Sequence, residues 1–202
     1  MKLRNMVLIA LSAALSNAGA QTAPPSTPAP QPQWFTVSPG AYFETGDTWT
    51  NGGKRFQLYG VQSCLRGARF TNNNGQVRDC GDASMAVLIS LIRDLRPLCY
   101  EAARRPDINT AYVFCFATMT QGPAKGSRID LGTALISIGY AFAALRPDGQ
   151  PVHAPYYAAQ LVAQRDNLGL WAFSDVPNPN IAIIRAYQQS HPPKASESEQ
   201  PR

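Results

Sequence analysis

The sequence has little charge, little histidine and no C-x-x-C pair. Only 15% of its 202 residues are charged, and two are histidines. Without a C-x-x-C pair a zinc site is not indicated. The apolar run Met6 to Leu15 is too short to cross a bilayer as a helix, so no membrane span is expected. No internal repeat is present, which argues against a solenoid.

The N-terminal residues have the pattern of an export signal. Lys2 and Arg4 precede the apolar run, and Ala18-Gly19-Ala20 offers small residues for cleavage. We therefore expect a signal peptide over residues 1–20 and a periplasmic or secreted protein. No cysteine follows the cleavage site, so a lipoprotein anchor is not indicated. Removal of the signal lowers the net charge from +5 to +3, which permits contact with a polyanion without requiring it.

The rest of the chain divides into three segments by composition. Residues 21–33 contain five prolines and little to bury, which predicts an extended linker. Residues 34–189 are long enough to form one domain with its own core. Residues 190–202 are polar and rich in proline, serine and glutamate, which predicts a disordered tail.

Four cysteines are the most informative feature of an exported chain. Because the compartment outside the cytoplasm is oxidising, an even count predicts two disulfides. Four cysteines allow three pairings. The short intervals between sequence neighbours favour pairing within each interval, and a loop of that size contributes roughly 3 kcal/mol. The alternative is four reduced, buried cysteines. The four are Cys64, Cys80, Cys99 and Cys115.

The domain reads as strands first, with helices interposed and appended. The β-branched and aromatic content predicts strands over residues 34–37, 41–44, 55–61, 98–100 and 111–117. Asn51-Gly52-Gly53 predicts a hairpin turn. Apolar spacing predicts helices from Asp82 to about Leu95, over 131–139 and over 154–167. This order favours a small antiparallel barrel carrying helices, a fold type that often binds oligonucleotides or oligosaccharides.

Several motifs, in the same order, resemble the staphylococcal nuclease-like (thermonuclease) family, and in particular its secreted, cysteine-containing branch. The similarity covers about residues 43–171. Cys99 and Cys115 fall at the positions where members of that branch have their second cysteine pair. The matching segments are Gly46-Asp47-Thr48, Leu58-Tyr59-Gly60-Val61, Gln62-Ser63-Cys64, Cys80-Gly81, Asp130-Leu131-Gly132, Gly139-Tyr140-Ala141, Tyr156-Tyr157 and Gly169-Leu170-Trp171.

This resemblance implies a fold and a chemistry. The expected fold is α+β and mainly β, a five-stranded OB-fold barrel with three helices. The family hydrolyses DNA and RNA phosphodiesters with calcium. That reaction needs oxygen ligands for a hard cation, a carboxylate base and arginines that face the phosphate. Asp47 matches one of the family's calcium-ligand aspartates.

The chain departs from the family at the other site positions. The first aspartate of the family's D-G-D-T turn is replaced by Thr45, the first arginine by Gln57 and the second arginine by Thr110. The acid pair falls on Gln62 and Leu65, or its whole segment is deleted. Both alignments lose the acid pair. A single carboxylate is a poor site for a cation that prefers six to eight oxygens.

Three functions follow as alternatives. The favoured one is an accessory or binding protein with a degenerate site, no catalytic residue and no cofactor, holding an acidic polysaccharide or another polyanion. Family members without the acid pair are associated with production of the acidic exopolysaccharide succinoglycan. The second is a calcium-dependent nuclease acting on nucleic acid through a rearranged site of Asp47, Glu44, Arg66 and Arg69. The third is a structural envelope protein without a ligand.

Several other polar and aromatic residues can be interpreted either as structural residues or as parts of a site. The nuclease function requires Glu44 and Asp47 to converge with Asp79 or Asp82. Arg104 and Arg105 could replace the missing arginine only if their loop folds over the barrel mouth. His153 has no nucleophile near it, which predicts a surface residue. Trp49 and Tyr59 read as buried aromatics, with a stacking platform as the alternative.

Overall fold

The computed structural model describes residues 31–192. The predicted signal peptide, most of the predicted linker, and residues 193–202 of the predicted tail lie outside the described residues. Between residues 31 and 192 the chain is α+β and mainly strands, as predicted. It contains four α-helices where the prediction has three.

Eleven strands are present in this part of the chain. They are β1 (Trp34–Thr36), β2 (Tyr42–Phe43), β3 (Thr48–Asn51), β4 (Lys54–Leu58), β5 (Val61–Gln62), β6 (Arg69–Thr71), β7 (Val77–Asp79), β8 (Leu98–Arg105), β9 (Thr110–Thr118), β10 (Arg128–Asp130) and β11 (Phe142–Ala143). The helices are α1 (Cys80–Leu95), α2 (Leu131–Ser137), α3 (Ala154–Arg165) and α4 (Pro179–Ser190). Single 3₁₀ turns cover Pro106–Ile108 and Gly169–Ala172.

A seven-stranded sheet dominates the described residues and curls into a half-barrel. Its order is β1-β8-β9-β4-β3-β2, and β10 pairs with β9. All pairs are antiparallel except β4 with β9, which is parallel. The predicted number of five strands is therefore too small. The sequence predicted β1 and β2 as separate strands, and a turn in which Ala41 N donates to Ser38 O at 3.0 Å divides them. The additional strands of the sheet are β3 and β10, which the sequence did not predict.

The predicted hairpin at Asn51-Gly52-Gly53 is confirmed. β3 and β4 pair up to Asn51 opposite Lys54, with Gly52 and Gly53 between them at φ of 58° and 76°. Two consecutive residues at positive φ are what a tight type I′ connection requires. β3 itself was not predicted, because its sequence, Thr-Trp-Thr-Asn, is short and runs straight into turn residues.

The concave face of the sheet forms the core with α1 and α2. Strand alternation turns one set of side chains inward against Leu88, Leu135 and their neighbours on the helices. The inward set is fully or almost fully buried and includes Trp49, Phe56, Leu58, Cys99, Ala111, Val113 and Cys115. Trp49 is therefore a core residue, and a role in a stacking platform is excluded by its burial.

Both disulfides join sequence neighbours, so the favoured pairing is confirmed. Cys99 and Cys115 lie directly opposite each other on β8 and β9. Cys64 and Cys80 join the segment after β5 to the first residue of α1. Each closes an interval of 16 residues.

The start of α1 differs from the prediction by three residues. Asp79, not Asp82, is its N-cap: the Asp79 carboxylate accepts a hydrogen bond from Asp82 N at 3.0 Å. Both aspartates suit a helix N-terminus, but only Asp79 has the extended backbone of a cap. β8 also continues through Glu101 to Arg105, where the sequence predicted a polar connection, because β9 pairs with it after a bulge.

α4 is the helix that the sequence did not predict, and it reaches Ser190, one residue beyond the predicted domain end. A buried amide anchors it. Asn180 Nδ2 donates to Ala143 O at 3.0 Å, and Asn180 Oδ1 accepts from Leu145 N at 3.1 Å. Ile181 and Ile183 remain exposed, so the helix has no continuous apolar stripe to predict it. No helix within residues 31–192 is both long and apolar enough to cross a membrane.

Candidate functional site

The turn Gly46-Asp47-Thr48 places Asp47 in a buried, polar pocket. Its side chain is 2% exposed and receives five hydrogen bonds from four neighbouring residues. Oδ1 accepts from the hydroxyls of Thr45, Thr48 (3.0 Å) and Ser63 (3.1 Å). Oδ2 accepts from Ser63 N at 3.2 Å and from Gln57 Nε2 at 3.4 Å. A carboxylate offers about four lone-pair sites, so the acceptor capacity of Asp47 is filled by its own chain.

The same turn is fastened to α1. A Cβ on Gly46 would lie 2.6 Å from Ser84 Cβ and 2.8 Å from the Ser84 carbonyl carbon, so the turn and the helix touch backbone to backbone. Asp47 also accepts from Leu58 N through its own carbonyl, at 2.9 Å. Asp47 thus joins β3, β4 and the segment after β5, which is the arrangement of a structural clamp.

Glu44 is engaged by an arginine. Arg55 Nε contacts Glu44 Oε2 at 2.8 Å, and Arg55 Nη1 donates to Thr110 Oγ1 at 3.1 Å. Arg55 therefore lies beside Thr110, where the family resemblance places its second arginine. Arg55 was not predicted as a site residue, although it lies two residues before Gln57 in the sequence.

The other positions that the resemblance assigns to the family's site make no catalytic arrangement. Gln62 Nε2 donates to the carbonyl of its neighbour Ser63 at 3.0 Å. Leu65, at the position of the expected base, is 38% exposed and apolar. The Gln57 side-chain amide donates its hydrogen bond to Asp47, as described above.

The other acidic candidates belong to the start of α1. Asp79 accepts hydrogen bonds from Gly67 N (2.7 Å) and Asp82 N. Burial by itself raises the pKa of Asp79, but these backbone hydrogen bonds, together with the charge of Arg66, lower it overall. Arg66 forms a 3.5 Å ion pair with Asp82. Arg69 lies on β6, opposite Asp79 in the β6–β7 ladder.

Calcium does not fit these residues. Nowhere in residues 31–192 do three histidine, cysteine or acidic side chains group as a metal site would require. Asp47 is the only carboxylate in its pocket's hydrogen-bond network, and its oxygens face five donors rather than open space. A hard cation would have to displace those donors and still lack carboxylate ligands. The convergence on which the nuclease function depends is absent from the described part of the chain.

The predicted arginine substitutes are also engaged locally. Arg104 pairs with Glu101 and Arg105 with Asp107. All four side chains belong to the exposed end of β8 and the turn after it. They form a solvated charged surface, for which little net stabilisation is expected.

A second candidate region lies on the convex face of the sheet. Alternation along β8 and β9 turns a row of aromatic side chains outward, opposite the inward-facing cysteines. Strand register sets Trp34 opposite Tyr100, and Tyr100 opposite Phe114. We call this surface the aromatic face. It consists of Trp34, Tyr59, Tyr100, Tyr112, Phe114 and Phe116.

Two parallel rings of the aromatic face, Tyr100 and Phe116, form what we call the floor, and Trp34 stands beside them. The Tyr100 and Phe116 rings are parallel within 2°, with centroids 6.3 Å apart, and Phe114 tilts by 32° to both. Trp34 stands edge-on to Tyr100 at 4.9 Å and is 43% exposed. The Arg128 guanidinium lies 5.4 Å from the Trp34 ring centroid and 5.1 Å from that of Phe116, in the geometry of a cation–π contact.

The start of α3 closes the other side of this floor. His153 packs against Phe114 and Tyr156, with ring centroids 5.7 Å and 4.4 Å apart. This approach requires Gly60, because a Cβ there would lie 2.9 Å from His153 Cβ. His153 is half-buried and lines a cleft at the surface.

These elements enclose a cleft of about 260 Å³, which we call the aromatic cleft. Asp130 lies at its edge and caps α2, since Asp130 Oδ2 accepts from Thr133 N at 2.7 Å. The Tyr156 phenol lies beside this carboxylate. Burial first, and then the charge of Asp130, raise the pKa of Tyr156 far above its ordinary value, so the phenol stays protonated. The cleft is lined by Tyr100, Phe114, Phe116, Asp130, Thr133, His153 and Tyr156.

A larger groove lies elsewhere. It has about 680 Å³ and runs between the β1–β2 connection and the C-terminal half of α1. Val37, Pro39 and Ile89 give it apolar walls, and Arg93 and Arg96 are its charged members. The aromatic cleft is smaller, but it combines parallel rings with a carboxylate and an imidazole, the mixture that ligand sites use.

The aromatic face was only partly predictable. Tyr112, Phe114 and Phe116 alternate along β9, which is a signal that one face of the strand is aromatic. Tyr59 was singled out in the sequence, and it lies 5.1 Å from Phe114 between ring centroids. The contributions of β1 and α3 depend on strand pairing and helix packing, for which the sequence carries no local signal.

No protein-family model matches this chain, and none of the curated proteins matches it significantly. Membership of the staphylococcal nuclease-like family therefore stays a prediction from the motifs.

Proposed function

We propose that this is an exported accessory protein that binds an acidic polysaccharide and has no nuclease activity. We further propose that its curled sheet is an OB-fold of the staphylococcal nuclease type. The parallel β4–β9 pair within an otherwise antiparallel sheet, and β1 and β2 as its two ends, support that assignment.

One observation carries the functional proposal. The two carboxylates that a rearranged nuclease site would need are each engaged within the chain, Asp47 by five donors and Glu44 by Arg55, and no third acidic side chain of the described residues groups with them. Removing a single preorganised base or donor typically costs about a hundredfold or more in rate. Here the base position is an exposed leucine and both arginine positions hold uncharged side chains.

The ligand class follows from surface chemistry. The predicted mature chain has a modest positive charge, which favours polyanions without selecting nucleic acid. The aromatic face offers rings on which flat ligand faces can stack. Among acidic polysaccharides, succinoglycan is suggested by the family resemblance alone.

Affinity electrophoresis through gels that contain succinoglycan or polygalacturonate tests this function. Gels that contain neutral dextran or single-stranded DNA serve as controls. We expect both acidic glycans to retard the protein at 50 mM salt, with weaker retardation at 500 mM salt because screening reduces charge attraction. Equal mobility in the acidic and dextran gels would overturn the proposal. Retardation by single-stranded DNA alone would favour the nucleic-acid alternative.

A further inference from the structure

The aromatic cleft has the features of a sugar subsite, and this inference rests on the function proposed above. We propose that it binds one pyranose ring of a carboxylated glycan on the floor formed by Tyr100 and Phe116, with the glycan carboxylate on Arg128.

The floor fits the face of a sugar ring. The face of an aromatic ring is electronegative, and the C–H groups on one face of a pyranose are weakly electropositive, so the two stack. Because the Tyr100 and Phe116 rings are parallel within 2° on neighbouring strands, their faces are turned in the same direction. An ammonium ligand would instead favour rings on several sides of a point charge.

The edge of the cleft supplies hydrogen-bonding groups suited to hydroxyls. In residues 31–192 neither the Tyr100 hydroxyl nor the His153 ring makes a hydrogen bond with another side chain or the backbone. Both can therefore serve a ligand. The Asp130 carboxylate accepts from Thr133, and its negative charge favours a ligand whose acidic group lies toward Arg128 rather than beside Asp130.

Arg128 supplies the preference for a carboxylate. No acidic side chain of the described residues lies within 4 Å of its charged nitrogens, in contrast with seven other arginines that form ion pairs. Its guanidinium lies against the Phe116 ring at 5.1 Å, at the border of the floor. A guanidinium pairs with a carboxylate through two parallel hydrogen bonds, and the rings behind it hold it in place.

Calorimetry with two matched trisaccharides tests the subsite. The probes are trigalacturonate and its methyl ester, which differ in the charge of their carboxyl groups. We expect the wild-type protein to bind trigalacturonate more tightly. Arg128→Gln should reduce affinity for the acid to that for the ester, while Arg185→Gln, which makes the same charge change on exposed α4, should have no effect.

Replacement of the floor provides the second arm. We expect Tyr100→Ala to raise Kd for both trisaccharides by about tenfold, the scale of losing one stacking ring. Tyr42→Ala, which removes an exposed tyrosine on β2, should leave both unchanged. If Tyr100→Ala does not fold, binding is read from the emission of exposed Trp34 instead. Trp34→Phe should then abolish the ligand-induced change.

Distinct results separate the subsite from the wider function. Retardation of the wild type in acidic gels with unchanged binding by Arg128→Gln and Tyr100→Ala would overturn the subsite alone. No binding of trigalacturonate by a wild type that binds the polymers would also overturn it. Loss of polymer binding in the wild type would overturn both. Tighter, Tyr100-dependent binding of an oligothymidylate would replace the sugar with nucleic acid.

Discussion

Replacement of Asp47 by alanine should destabilise the fold, because the carboxylate clamps three chain segments together. The change removes five hydrogen bonds and leaves the buried Ser63 N–H without its acceptor. Hydrogen bonds to a charged group contribute about 1.5–3 kcal/mol each, but they share one carboxylate and do not add. We expect a loss of about 3–5 kcal/mol, because more than one buried donor would be left unsatisfied at about 1–3 kcal/mol each.

Thermal unfolding measures this loss. For a domain of this size, about 2–4 °C of Tm corresponds to each kcal/mol, so Asp47→Ala should lower Tm by about 6–20 °C. Asp47→Asn keeps the volume but turns an N–H₂ group toward donors, and should lie between alanine and wild type. Asp94→Ala removes an exposed carboxylate on α1 and should change Tm by less than about 2 °C.

The effect of calcium on Tm distinguishes a structural role of Asp47 from a role as a calcium ligand. A metal that binds only the folded state raises Tm by mass action, whereas the clamp predicts equal wild-type Tm in calcium and in chelator. A decrease in Tm of less than about 2 °C for Asp47→Ala would refute the structural role of Asp47. A calcium-dependent rise in wild-type Tm that Asp47→Asn abolishes would refute it independently.

Three further predictions concern the fold around the site. Replacing Cys64 and Cys80 together by alanine should cost roughly 3 kcal/mol by the loop-entropy model, measured by denaturant unfolding; no change on reduction of the wild type would contradict this. Burial, and then the neighbouring Asp130 carboxylate, raise the pKa of the Tyr156 phenol in the folded protein. As the pH rises, the phenol therefore loses its proton in the unfolded chain at a lower pH than in the folded one. Stability should therefore hold below about pH 10 and fall above it, and Tyr156→Phe should flatten that fall; parallel profiles would contradict it. Gly132→Ala should destabilise despite the better helix propensity of alanine, because its Cβ would overlap the Tyr156 hydroxyl, whereas Gly40→Ala has only a 3.9 Å neighbour and should be neutral by thermal melts.

The elements that the sequence predicted are those with a strong local signal. Apolar spacing identified α1, and the Asn-Gly-Gly turn identified the hairpin. The equal 16-residue cysteine intervals favoured the pairing that the structure has. α4 was missed because the polar side chain of Asn180 anchors it rather than an apolar stripe.

The candidate site was predictable in composition but not in geometry. Through the family resemblance, the sequence predicted that Asp47 lacks the family's other acidic site residues. It did not show that Ser63, 16 residues away, supplies two of the donors that fill its carboxylate. Nor did it show that Trp34 and His153, which are distant in the chain, border one aromatic surface, because strand pairing and helix packing bring them there.

Hydrolysis of single-stranded DNA and RNA by the purified, oxidised protein tests the central claim most directly. The reactions run with calcium and with chelator, beside Asp47→Asn to expose contaminating nuclease. The account predicts that wild type and variant release the same background of product under both conditions. Calcium-dependent cleavage by the wild type that the variant lacks would contradict it and restore a metal-assisted nuclease.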